Sequence, residues 1–310
     1  MTRLVGVDVG GTKVAVAVLE DGRLGTARVR ATETASPDEL VDQLTEAIEE
    51  QLPADAVGIG VPSVVDFAKG TARSSVNIPL EGVPLRTILR KRLGIPVYVD
   101  NDATVAAVAE AHGPDAKVDV RHLVMLTIGT GVGGGIVIDG RVYRGATGGA
   151  AELGHIIIGA HLDDGAPAPE GFPQPGSLER LASGRALDRL AAAHGLKDGP
   201  GAVEAARHGD PNGLECLRIL GERLGIGIAN IVNSLEPDVV VVGGGAGSAA
   251  GELLLHAARE TAQQFILRGV GTKTEIRTAR YGKEAGVLGA ALMAGQELVV
   301  EQRTGEPDPG

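Results

Sequence analysis

The chain has 310 residues, enough for one large or two modest domains, each with a core of its own. Aromatic residues make up only 2% of it and the net charge is −11, so a stacking platform for single-stranded nucleic acid and a basic face for duplex or anionic membrane are both excluded. A single cysteine, Cys216, leaves neither an intrachain disulfide nor a multi-thiolate zinc site. Glycine, at 47 residues, is about twice as frequent as usual and announces tight turns and close backbone approaches. No signal peptide and no apolar run of membrane-spanning length is apparent, so the expectation is a soluble, cytoplasmic protein.

Residues 4–20 read as strand, Gly-Gly-Thr turn and strand, with a third strand expected over 26–32. Ser36 then caps a helix whose first residue is Pro37 and whose N3 residue is Glu39, with Leu40, Val41, Leu44 and Ile48 on its apolar face. Short buried strands are expected at 56–61 and 97–100, the latter leading into a helix over 102–111. The pattern then repeats: a strand at 122–128, the break GTGVGGG and a strand at 136–138. Residues 161–176 are rich in Gly and Pro and read as an irregular loop. A long helix over 214–235 carries Gly221, Gly225 and Gly227 for close packing, in the core or at an interface. A buried strand follows at 238–243, then a final helix at about 283–299 and a disordered tail over 300–310. Two similar openings imply two related α/β domains with a cleft between them: a small one over 1–112, completed by the helix at about 286–299, and a large one over 113–285.

Three glycine segments bear on chemistry. Gly10, Gly11, Thr12 and Lys13 join the first two strands, and backbone amides there can approach a phosphate closely. Asp8, at the end of the preceding strand, is placed to hold a hydrated Mg²⁺. Gly129, Thr130, Gly131 and Gly133 repeat that logic, and Gly243, Gly244 and Gly245 suit the approach of an adenosine. Each turn alone is also consistent with an ordinary hairpin or strand–helix turn, and none matches the P-loop or the Rossmann fingerprint. Asn101 and Asp102 sit where a strand passes into a helix, a place for a simple cap or for a base that takes a hydroxyl proton. Glu152, His155 and Glu179 form a polar set suited to a polyhydroxy ligand. A glycosidase pair of Glu152 and Glu179 would leave the phosphate turns without a purpose, and His155, His161, Asp163 and Asp164 read as a solvated loop before they read as a metal site.

The segments VGVDVGGTKVAVAV, GIGVPSVVD, VYVDNDATVAAVAE, LTIGTGVGGGIVIDG, GGAAELGH, GSLERLASG and NIVNSLEPDVVVVGGG together resemble the ROK family of sugar kinases and repressors, over about residues 3 to 297. The resemblance implies an α/β fold of the actin/hexokinase-like (ribonuclease H-like) kind, with duplicated domains. It implies ATP with Mg²⁺ and transfer to the 6-hydroxyl of a hexose, glucose first, with N-acetylmannosamine, fructose, allose or a polyphosphate donor as alternatives and a sugar-sensing regulator as the non-enzymatic one. Asp102 matches the general base; Asn101, Glu152, His155 and Glu179 match sugar ligands, and Asn77 does so more loosely. Asp8, the two glycine turns and Gly243–Gly245 match the nucleotide site. The family's DNA-reading domain has no counterpart here, so the expected partners are a sugar and a nucleotide, with a homodimer or homotetramer as the assembly. Two departures stand out. The family's zinc cysteines are missing, with Ser177 at the position of the last, so no structural zinc is expected and another group must orient His155. Gly60-Val61-Pro62-Ser63 replaces a G-x-P-G pattern, which puts a side chain at position 63 where it is expected to reshape the sugar pocket.

Overall fold

The computed structural model of the protein describes residues 2–75 and 77–305. Within them the chain forms two compact units, one built from 2–121 (without 76), 135–151 and 283–305, the other from 122–134 and 152–282.

In the first unit β1 (Arg3–Val9) and β2 (Lys13–Glu20) pair antiparallel across the Gly10–Thr12 turn. Strands β3 (Arg23–Leu24) and β4 (Arg28–Ala31) add to the outer side of β2. The chain continues through α1 (Pro37–Glu49), β5 (Ala56–Val61), a hairpin of β6 (Ser63–Asp66) and β7 (Thr71–Ser75), α2 (Leu85–Leu93), β8 (Val97–Asn101) and α3 (Asp102–Ala111). The sheet order is β3-β2-β1-β5-β8, with β1, β5 and β8 parallel. Every residue of β5 is buried, as expected of a central parallel strand covered on both faces. The Ser36 hydroxyl accepts from the Glu39 amide at 3.2 Å and starts α1 at Pro37, whose residues Leu40, Leu44 and Ile48 enter the core. The hairpin β6–β7 and helix α2 have no strong periodic signal and were not expected.

The second unit opens with β9 (Leu123–Ile128). The chain turns over Gly129–Gly131 into β10 (Val132–Ile138), which carries it back to the first unit, where its end pairs with β11 (Arg141–Val142). Thus β10 absorbs Gly133, Gly134 and Gly135, and the second glycine turn is shorter than the seven-residue break suggests. Then come α4 (Leu178–Ala182), α5 (Gly184–Ala193), α6 (Gly199–Arg207), α7 (Pro211–Leu235), β12 (Val239–Gly243), α8 (Gly244–Ala250), α9 (Glu252–Phe265) and β13 (Glu275–Thr278). Strands β9, β12 and β13 are parallel neighbours. Helix α7 begins three residues before the expected start because Asp210 caps it and Pro211 occupies its first position. Side chains on Gly221 and Gly225 would run into α9 backbone, at 2.6 Å from the carbonyl oxygens of Leu254 and Ala258, so these glycines serve packing inside the unit.

Helix α10 (Ala285–Thr304) returns to the first unit and lies on β1, β5 and α3. A Cβ on Gly6 would stand 1.9 Å from the Val287 carbonyl oxygen and one on Gly58 would stand 1.8 Å from that of Ala290, so helix and sheet touch backbone to backbone. The helix also runs past the expected start of the tail. Glu301 accepts from Arg90 at 2.7 Å and from the Tyr98 hydroxyl at 2.5 Å, which holds the turn over 300–304 in place; residues 306–310 lie outside the described residues. No helix among the described residues is long and apolar enough to cross a membrane.

Candidate active site

In the first unit, strand register gathers the polar residues. Asp8 on β1 stands opposite Gly60 on β5, and Gly60 stands opposite Asp100 on β8, so the two carboxylates share one row near the carboxyl ends of parallel strands, where open α/β sheets hold ligands. Asp102 follows two residues beyond that row. Its carboxylate uses one oxygen, Oδ1, to accept the Ala103 amide at 2.8 Å. Burial first, and then the neighbouring charge of Asp8, push its pKa up to about 6. Burial raises Asp8 to about 6 as well. Asn101 caps α3: its side-chain oxygen accepts from the amides of Ala103 and Thr104 at 2.9 and 3.1 Å, and its amino group donates to the Ser63 carbonyl at 3.3 Å. The cap and the candidate base are therefore adjacent residues with separate tasks.

Gly11, Thr12 and Lys13 form the exposed tip of the first turn, while the Gly10 amide closes it on the Lys13 carbonyl at 2.8 Å. Asn77 sits beside this tip: a side chain on Gly11 would stand 3.4 Å from the Asn77 Cβ. Ser63 is buried, and its hydroxyl donates to Ser75 at 2.9 Å, which in turn donates to the Ile78 carbonyl at 2.7 Å. The Ser63 side chain thus braces the loop that bears Asn77.

The second unit repeats the arrangement. Gly243 on β12 stands opposite Thr127 on β9. The next residue, Gly244, has φ 80°, and a Cβ there would lie 2.6 Å from the Ile128 amide. Gly129, Thr130 and Gly245 line one cavity of about 620 Å³, which joins the second turn to the expected adenosine segment. Its other walls come from Leu187 and Val203 on α5 and α6, and from Arg185 and Glu204. None of these four carries a motif, and sequence reasoning missed them. The amphipathic spacing of the two helices is the only signal, and it reads as core packing.

Glu179 and the turn that carries Glu152 and His155 both meet Val132. A side chain on Gly154 would come within 2.2 Å of the Val132 carbonyl oxygen, and the Val132 amide donates to Glu179 Oε2 at 2.9 Å. That same Glu179 oxygen lies 2.3 Å from where a Cβ on Gly131 would be, so a side chain there would displace the carboxylate. The Leu178 amide donates to the Ile156 carbonyl at 2.9 Å and Ile157 bridges Ser177, which holds α4 beside the His155 turn. His155 Nε2 lies 3.8 Å from Glu152 Oε2. Its Nδ1 is buried without a partner, and the edge of Phe172 meets the ring at 5.5 Å and 88°.

Two metals need separate treatment. A single carboxylate beside the Gly10–Lys13 turn would suit Mg²⁺ that keeps most of its water, and Asp8 offers that donor. A cysteine-ligated zinc does not fit: the one cysteine is buried inside α7, and no group of three His, Cys, Asp or Glu side chains among the described residues is arranged for a metal. Phe172, the ring that meets His155, is itself exposed.

The family model described as ROK family matches residues 4–297, and the chain belongs to that family. It is 34% identical to a glucokinase from Streptomyces coelicolor, over 98% of each chain. The crystal structure of a ROK hexokinase from Thermus thermophilus superposes with a TM-score of 0.82 at 36% identity, over 96% of this chain and all of that one. A ROK glucokinase from Streptomyces griseus in complex with glucose and AMPPNP gives 0.76 at 32%, over 95% and 99%. The fold is accordingly the actin/hexokinase-like one. An N-acetyl-D-glucosamine kinase from Aliivibrio fischeri is 32% identical over 93% of this chain and 98% of its own, so relatedness at this level spans more than one named activity.

Proposed function

We propose that the protein is an ATP-dependent hexose kinase that phosphorylates the 6-hydroxyl, with glucose as its preferred acceptor. The observation that carries this reading is the Asp102 carboxylate: one oxygen held by the Ala103 amide, a pKa near 6, and Asp8 as its charged neighbour. A base tuned there is largely ionised at neutral pH and is basic enough to take the proton of an attacking hydroxyl. The kinship with glucokinases supports glucose, and the cavity behind Gly129, Thr130 and Gly245 supports a nucleotide as donor.

Each remaining residue then has a task. The amides at Gly10–Lys13 and Gly129–Gly131 bind phosphate oxygens, as in other phosphoryl transferases that work chiefly by positioning and charge. Gly243–Gly245 allow the adenosine to lie close to the backbone. Glu152, His155, Glu179, Asn101 and Asn77 hold sugar hydroxyls. Asp8 would hold Mg²⁺ through water, and the ion would neutralise charge on the phosphates.

The test is ADP release with a sugar panel of glucose, N-acetylglucosamine, N-acetylmannosamine, fructose and allose, each offered ATP and polyphosphate. Glucose with ATP should turn over fastest, and Asp102→Asn should lower kcat by about 10²–10⁴-fold while nucleotide binding persists. Saturable sugar binding by calorimetry with no ADP release from any pair would replace the kinase reading with a sugar-sensing one.

A further inference from the structure

Arg144 belongs to none of the groups named so far. It follows β11, and its side chain is buried to 4% exposure among partners that are themselves buried. Its Nε donates to Asp100 Oδ2 at 2.7 Å and its Nη2 to Glu297 Oε1 at 3.0 Å. The guanidinium carbon stands 3.4 Å from the centre of the Phe67 ring. Arg86 lies over the same ring at 5.7 Å, and its Nη1 donates to the Phe67 and Ala68 carbonyls at 3.0 and 2.9 Å. The turn of the β6–β7 hairpin is thereby fixed to the same cluster.

The contacts lead to the candidate base. The other oxygen of Asp100, Oδ1, accepts the Asn101 amide at 2.8 Å. Asn101 caps α3 and Asp102 is the first residue of that helix. An orienting chain thus runs from Arg144 through the Asp100 carboxylate to the Asp100–Asn101 peptide, one residue before Asp102.

Stability alone does not account for the cluster. Buried ion pairs can often be replaced by apolar groups of similar volume with little loss, because desolvation offsets their attraction. What apolar groups cannot supply is direction. A guanidinium has donors in a rigid plane, so it can serve two carboxylates and stack on a ring at once, and a lysine ammonium cannot.

We propose that Arg144 is a positioning residue for phosphoryl transfer, acting through Asp100 to hold the Asp100–Asn101 peptide, and with it the start of α3, so that the Asp102 carboxylate stays in line with the hydroxyl it deprotonates. The inference rests on Asp102 being the base.

The experiment measures kcat, KM for ATP and glucose, and thermal midpoint for Asp102→Asn, Arg144→Met, Arg144→Lys, Asp100→Asn, Glu297→Gln and the double variant R144M/D102N, all in the full-length protein below its melting range. Misplacement of a reacting group by about an ångström costs about 10²-fold, so Arg144→Met and Asp100→Asn should each lower kcat by about that factor with KM for ATP unchanged. Arg144→Lys should keep the fold and share the loss of kcat. Glu297→Gln, which breaks the other ion pair, should lower the midpoint and leave kcat intact. The double variant should be no slower than Asp102→Asn. If Arg144→Met does not fold, Arg144→Lys and Asp100→Asn decide. Normal turnover in Asp102→Asn would remove the base assignment itself. A slow Asp102→Asn together with normal turnover in Arg144→Lys and Asp100→Asn, an additive double variant, or an equal loss of kcat in Glu297→Gln would overturn the positioning role.

Discussion

Asp8 and Asp102 both ionise near 6, and each does so because burial disfavours its charge. Asp102 must be unprotonated to accept a proton, so kcat/KM should fall below about pH 6, measured as the acid limb of a pH–rate profile. The two carboxyls repel each other, so the limb reports the pair. Replacing Asp8 with Asn should move the Asp102 pKa downward, readable by carboxyl ¹³C NMR. The same shift governs stability. In the unfolded chain Asp102 ionises near 4, so the folded state must hold a charge it disfavours at every pH above about 6. Asn at this position should therefore raise the midpoint of unfolding at pH 8, and the gain should shrink as pH falls from 6 to 4, followed by thermal melts. Much of this residue-level site was legible. Asp102, Glu152, His155 and Glu179 carry motifs, and the fold brings Glu179 and the turn that bears Glu152 and His155 to Val132. Ser63 was not legible, because its partner Ser75 comes from a hairpin with no sequence signal.

At the scale of elements, the contact between α10 and the sheet rests on glycines in two of the strands it crosses, β1 and β5. A methyl group on Gly58 would meet the Ala290 carbonyl oxygen at 1.8 Å, and neither partner is a flexible side-chain end. Gly58→Ala should cost about 1–3 kcal/mol by overpacking, read from urea melts, because helix and sheet must separate. Gly171→Ala, where a Cβ meets nothing within 4 Å, should change stability by less than about 0.5 kcal/mol. Strands β1, β5, β9 and β12 were plain from their β-branched runs, and α1 and α3 from cap and period. The end of α10 was misjudged since Glu301 and its neighbours look like a polar tail. Pairing with Arg90 and Tyr98, over 200 residues away, turns that polarity into an anchor.

For the whole molecule, the sign of the charge and the handling of the phosphates pull in opposite directions. On the proposed reading, a chain of net charge −11 repels a nucleotide at long range, so binding would come from local amide donors and a cation. AMPPNP with Mg²⁺ should raise the midpoint of unfolding, by about 2.7 kcal/mol of added stability at a hundredfold excess over Kd, and AMPPNP with chelator should raise it far less. Differential scanning calorimetry with and without EDTA separates the two. The sequence by itself determined the strand–glycine–strand openings, the residue types at the site and the absence of zinc thiolates, because those are properties of local pattern and composition. Only the tertiary structure decided which glycines face a carboxylate or a backbone, which helices wall the cavity beside Gly129 and Gly245, and that Arg144 is wired to Asp100. Those facts depend on groups brought together from distant parts of the chain, whose proximity leaves no mark on the spacing of residues within either part.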